Sequence, residues 1–129
     1  MRERGSASVL VLGIVGLMVV MGVVLTTTGH VLAVRNQVQV AADAAALAAA
    51  PVTFLPFGSD GHPSTEAKRL AVANGADLSR CICPIDRSWE ARVVEVEVIR
   101  EVALPVIGSL DIRAVAAAEF RPTKLLPGS

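Results

Sequence analysis

The chain has no tyrosine, and its three Phe and one Trp make up only 3% of the residues. A core without aromatic bulk is thin, so a domain built from Ala and Val is expected to lean on an anchor or on neighbours. An excess of either charge is also missing, because 12 Lys+Arg balance 12 Asp+Glu. That argues against a nucleic-acid partner or a broad anionic one. Cysteine occurs only as Cys81-Ile82-Cys83. On a strand both would share one face, and a bond between them would close a very tight ring. A metal would need more ligands, and His30 and His62 lie far away in sequence. The pair is read as structural thiols or as a pairing formed outside the cell, and no cofactor is implied. Glu95 and Glu97 are the one carboxylate pair on a strand face. They lack an acid/base partner, so they read as a solvated face. With no catalytic constellation, the chain is not expected to be an enzyme.

The most informative absence lies at the start. No Asp, Glu, Lys or Arg occurs between Arg4 and Arg35, and Val9 to Leu25 contains nothing but apolar residues and Gly. A spanning helix needs roughly 20 mostly apolar residues, and the uncharged stretch from Ser6 to Gly29 supplies them. It explains much of the mean hydropathy of +0.57. Gly13 with Gly16 and Gly22 with Gly29 do not make a GxxxG pair, so no dimer motif is inferred. Arg2 and Arg4 precede the span, while Arg35 alone follows it closely. The expected arrangement is therefore N-terminus in the cytoplasm and C-terminal domain outside. A cleaved signal peptide is the rival. Its apolar region would be about 7–15 residues long and end at an A-x-A-like site. Here the run is longer, and Ala42-Asp43-Ala44 lies well past it.

Beyond the span the pattern stays helical. Val31, Val34, Val38, Ala41, Ala42, Ala45, Ala48 and Ala49 recur at spacings of three and four, with Arg35, Asn36, Gln39 and Asp43 mostly off that stripe. The helix is expected to run from Ser6 to about Ala49, half in lipid and half outside it, and to end at Pro51, which disfavours helical geometry at Ala50. Val38, Ala41, Ala45 and Ala48 form a candidate interaction stripe. It has two open fates: packing against the C-terminal domain, or against partner helices.

Residues 51–64, with Pro51, Pro56, Pro63, Gly58 and Gly61, read as a loop whose Phe54, Leu55 and Phe57 tuck onto the domain. Ser64 or Thr65 is expected to cap a helix from Glu66 to about Ala73, stopped by Asn74-Gly75 with Gly75 left-handed. Three strands follow: Asp77 to Cys83, Ala91 to Val102 and Asp111 to Arg121. In the second, Val94, Val96 and Val98 alternate with Glu95 and Glu97. In the third, Ile112, Ala114, Ala116, Ala118 and Phe120 share one face. Asp86-Arg87-Ser88 reads as a turn, and residues 122–129 as a disordered tail. The fold class is α+β: a long N-terminal transmembrane helix, then a small antiparallel three-stranded sheet with one packed helix. The segments are 1–5 (leader-like), 6–50 (spanning and projecting helix), 51–64 (loop), 65–121 (extracytoplasmic domain) and 122–129 (tail).

Arg4-Gly5-Ser6-Ala7-Ser8-Val9-Leu10, the apolar span and the run from Gln39 to Ala50 together resemble the N-terminal region of TadE/TadG-like proteins of the Flp (tight adherence) pilus system. Ala71 to Ala76, the Val/Glu strand and Arg113 to Ala118 look like the soluble half of short actinobacterial, secretion-associated members. The resemblance implies a non-enzymatic, pilin-like (pseudopilin) component of a pilus or secretion apparatus. Its implied partners are the lipid bilayer, other Tad/Flp-type pilins and membrane assembly proteins. It also implies a prepilin peptidase cutting after a Gly, and Gly5 before Ser6 occupies that position. TadE-type proteins often carry Glu at the fifth residue after that Gly. Leu10 stands there instead, which favours the TadG-like or secretion-associated branch. The alternative is a membrane-anchored or released envelope protein with a binding role and no filament.

Overall fold

The computed structural model describes residues 4–56, 61–104 and 108–126, the first three by backbone alone. Arg2, Phe57, Gly58, Pro105 and the end of the tail, 127–129, lie outside the described residues. The order of elements is α1 (Arg4–Val52), α2 (Pro63–Ala73), β1 (Asp77–Ile82), β2 (Arg92–Leu104), β3 (Gly108–Phe120) and a 3-10 turn (Pro122–Leu125). The chain divides into two compact units, Met1–Val34 and Arg35–Ser129, and α1 continues through both.

Among its described residues the first unit is helix alone. Its apolar side chains from Val9 to Leu25 are exposed. Thr26, Thr27 and Thr28 turn their hydroxyls back onto the carbonyls of Gly22, Val23 and Val24, each at 2.8 Å. Hydroxyls paired in this way no longer need water, so the helix carries them without an unsatisfied donor.

The second unit is an antiparallel meander, in the order β1-β2-β3, with helix on one face. The expected alternation is present. Val94, Val96, Val98 and Val102 are buried from β2, and Ile112, Ala114, Ala116 and Ala118 from β3. Register sets large against small: Val94 opposite Ala118, Val96 opposite Ala116 and Val98 opposite Ala114. The inner face is thus low and smooth on the β3 side. The buried residues of α1 in this unit are almost as small: Val38, Ala41, Ala42, Ala45, Ala46, Ala49 and Ala50. The buried side chains of both layers are short, and they fill this interior without aromatic residues among them. At one edge, Arg100 donates to Gln37 of α1 at 2.6 Å, and Gln39 of α1 donates to the Val115 carbonyl at 3.2 Å. From α2, which packs along β1, Ala67 and Ala71 are buried.

Several boundaries differ from expectation for local reasons. α1 runs through Pro51 to Val52, because a proline one residue from the end sacrifices little of the ladder. Thr53 and Phe54 then close the end with N–H bonds to the carbonyls of Ala50 and Pro51, and the buried Thr53 hydroxyl also donates to Ala50. α2 starts at Pro63 rather than Glu66. His62 is its N-cap, and neither Ser64 nor Thr65 caps it. Proline at the first helical position brings a fixed φ and no N–H to orphan. The other end follows expectation. Gly75 has φ +78°, its N–H reaches the Val72 carbonyl, and Ala76 N–H reaches the Ala71 carbonyl, the six-to-one and five-to-two bonds of a Schellman motif. β1 stops at Ile82, β2 extends to Leu104 and β3 begins at Gly108. The segment from residue 122, expected to be disordered, opens with the 3-10 turn, and Pro122 is buried.

Close packing makes a specific expectation. Ala45 is fully buried, so Ala45→Leu should overpack the helix–sheet interface and cost about 1–3 kcal/mol. Val40, on the exposed side of the same helix, should tolerate Val40→Ala within about 0.5 kcal/mol. Urea unfolding of the two variants in detergent checks the contrast. Equal effects would contradict the packing described.

Candidate functional site

The chemistry-bearing residues of the second unit gather in two places, the end of α1 and the outer face of the sheet. At the end of α1 the chain turns at Thr53, and Phe54 pairs with Asp86 in a parallel bridge. Leu55 N–H reaches the Asp86 carbonyl, and Asp86 N–H reaches the Thr53 carbonyl. Arg92 ties this junction together from the first position of β2. It is only 8% exposed, although its guanidinium is charged. It donates to the carbonyls of Thr53 (3.0 Å) and Asp86 (2.8 Å), and also to those of Ser88 and Glu90. It lies 5.7 Å from the centre of the Phe54 ring. Phe54 meets Trp89 edge-on at 5.0 Å and Phe120 at 6.3 Å. The three described aromatic residues therefore meet at one node, and a planar fork of donors satisfies the carbonyls of the 84–91 loop.

Asp86 shapes that loop. Its carboxylate accepts from the N–H groups of Arg87 and Ser88 and from the Ser88 hydroxyl. The Ser88 hydroxyl, the Ser88 N–H and the Arg87 N–H hold the Asp86 carboxyl below its ordinary range, with a further contribution from the Arg92 charge. The Asp86-Arg87-Ser88 turn was legible in sequence. Arg92 was not singled out, although its signal was present: it is in phase with Val94, Val96 and Val98, so it points inward.

On the outer face Glu95 and Glu97 form a charged ladder across all three strands. Arg80 of β1 reaches Glu95 at 3.2 Å and Glu97 at 3.5 Å, and Arg113 of β3 reaches Glu97 from the other side at 3.6 Å. Ion pairs this exposed contribute roughly 0–1 kcal/mol each. They join the three strands on this face. Cys81 and Cys83 are bonded to each other. Among the described residues no three of His, Cys, Asp and Glu converge as metal ligands.

The sequence-derived sites are placed as follows. Gly5 and Ser6 lie in the first turns of α1. Val38, Ala41 and Ala45 are at 0% exposure inside the second unit, and Ala48 is half-buried. Of the two fates open to that stripe, the chain uses most of it for its own sheet. The opposite side of α1 stays open, with Val40 at 57% and Leu47 at 67% exposure. Asp43, next to them, accepts a hydrogen bond from Gln39 at 3.2 Å.

α1 is long and apolar enough to cross a membrane, and its apolar window is not buried in the protein. Within this chain that window is exposed rather than packed as a core helix. Residues 5–51 match the Tad family model, which describes TadE/G-like Flp pilus-assembly proteins. The chain thus carries a TadE/G-like N-terminal region, and the match ends where α1 ends. No curated protein and no solved structure shows a significant match.

Trp89 is the single tryptophan and reports on the node. Arg92→Met should remove the hydrogen bonds to the carbonyls of Thr53, Asp86, Ser88 and Glu90, cost about 1–3 kcal/mol and change the Trp89 emission. The pH dependence has a defined sign. The depressed Asp86 carboxyl contributes stability that is fully present above the ordinary carboxylate range and is lost as pH falls through its lowered value. Trp89 fluorescence should therefore titrate below that range, and Asp86→Asn should remove the transition. A transition that persists in the variant would assign it to another group.

Proposed function

We propose that the chain is a non-enzymatic, single-pass, pilin-like component of a Tad/Flp-type pilus or secretion apparatus, with its N-terminus in the cytoplasm and its sheet domain outside. The observation that carries this reading is the double use of α1. Within the segment that matches the TadE/G-like family, the helix begins as an exposed apolar rod and ends as the inner layer of a small domain. Arg2 and Arg4 before the span support the orientation. A Cys81–Cys83 disulfide fits an oxidising compartment. Other Tad/Flp-type pilins and membrane assembly proteins are the partners, and a prepilin peptidase acting after Gly5 would leave Ser6 as the new N-terminus. Leu10 in place of the frequent Glu leaves the span with no charge to pair with a neighbour, which supports a reading closer to the TadG-like or secretion-associated members.

The surface of the outer part of α1 left for neighbours is the side carrying Val40 and Leu47, since Val38, Ala41 and Ala45 are consumed within the chain. That burial also favours a second reading, in which the protein is a membrane-anchored envelope protein that never joins a filament. Substitution separates the two. Leu47→Asp should leave the domain folded and abolish co-purification with the secretion complex from the native host. Ala45→Asp should unfold the domain itself. Asp43→Ala should change stability by less than about 0.5 kcal/mol. If the parent itself does not co-purify, the non-assembling reading stands, and if Leu47→Asp co-purifies as the parent does, the Val40/Leu47 side is not the contact.

Orientation and processing are measured separately. A reporter fused after Ser129 should be active only outside the membrane. Mass analysis of the mature N-terminus should find Ser6. A chain beginning at Met1 or Arg2 would mean a permanent anchor, and one beginning near Ala44 would mean a released protein.

A further inference from the structure

The Cys81–Cys83 disulfide sits where β1 leaves the sheet. Cys81 still pairs with Val96, and Ile82 with Glu95, but Cys83 lies past the last ladder residue and Pro84 follows with no N–H to extend it. Both cysteines are half-buried rather than enclosed in the core. The ring encloses a single residue, Ile82. A structural disulfide acts largely by restricting the unfolded chain, and that effect grows with the length of chain it encloses. So short a ring restricts the unfolded chain less than a longer loop would. β1 is secured by other means: five residue pairs with β2, the ion pairs of Arg80 with Glu95 and Glu97, and α2 along it. The bond thus closes a short ring at the end of β1, and no third cysteine occurs in the chain to scramble it.

We propose that Cys81–Cys83 is a redox-active pair that exchanges with a dithiol on a protein or peptide partner. A partner thiolate attacks one sulfur of the pair, forming a mixed disulfide, and the other sulfur leaves as a thiolate that takes up a proton. The partner's second thiol, as its thiolate, then attacks the mixed bond. The products are the Cys81/Cys83 dithiol and an oxidised partner, so two electrons and two protons pass from partner to chain. The adjacency of the two cysteines keeps the leaving thiolate beside the mixed disulfide, which makes the exchange readily reversible.

The test uses the full chain in detergent, with dithiothreitol as the small dithiol and a reduced peptide carrying two cysteines as the protein-like one. Alkylation followed by mass analysis reads the reduced fraction, and circular dichroism reads the sheet. The native chain should be reduced by dithiothreitol at a rate within about a hundredfold of the same chain in urea. Its sheet signal should survive reduction, the peptide should be oxidised in equal amount, and Cys81→Ser/Cys83→Ser should melt as the parent does. Slower native reduction, loss of the sheet on reduction, a peptide that stays reduced, or a lower melting point of the double variant would each overturn the proposal. These measurements are made on purified protein, so they stand or fall independently of membrane assembly.

Discussion

Contact between the small-residue face of α1 and the inner face of the sheet is the interaction on which the rest depends. Ala41, Ala42, Ala45, Ala46 and Ala49 meet a surface of β2 valines and β3 alanines, and neither layer has aromatic bulk to spare. A three-stranded sheet with one short helix buries too little to stand alone. The outer part of α1 supplies the missing layer. Its Ala content serves two ends, since alanine has the highest helix propensity and also permits close approach. The aromatic node has a different task. Phe54, Trp89 and Phe120, with Arg92 among the carbonyls, fasten the 84–91 loop to the end of the helix.

The same helix has to satisfy two solvents. From Val9 to Leu25 it presents apolar side chains all round, which suits a membrane-spanning segment. From Arg35 onward it is amphipathic, with one face against its own sheet and the other bearing Gln39, Val40, Asp43 and Leu47. The family match covers this helix and stops with it. The apolar segment and the alanine layer therefore carry the family likeness. The outer face of that sheet bears the Arg80–Glu97–Arg113 ladder, and its inner face does the packing.

Much of this was legible in the sequence, because hydrophobic periodicity reports burial directly. The alternation of Val94, Val96 and Val98 with Glu95 and Glu97 could be read without coordinates, as could Gly75 at the end of α2. Periodicity tells that a face is buried but not what buries it. The destination of Val38, Ala41 and Ala45 was open for that reason until the sheet was in place. The start of α2 was misplaced because Ser64 and Thr65 are strong capping residues, and Pro63 suits the first helical turn still better. Arg92 was missed because a charge at the head of a strand reads as solvent-facing, and its partners are backbone carbonyls that leave no mark in composition. The ion pairs of Glu95 and Glu97 needed the register between strands, which no single strand reveals.

The central claim is that one continuous helix is held by lipid in its first part and by its own sheet in its second. Nitroxide labels placed one at a time along α1, in protein dispersed singly in bilayers, test it most directly through their collisions with oxygen and with a water-soluble nickel chelate. The account expects high oxygen and low nickel accessibility from Leu12 to Leu25, with no helical periodicity. From Arg35 to Ala50 it expects a period near 3.6 residues, with minima at Val38, Ala41, Ala45 and Ala49 and maxima at Val40, Asp43 and Leu47. A flat profile in the second part, or one that repeats the lipid pattern of the first, would contradict it.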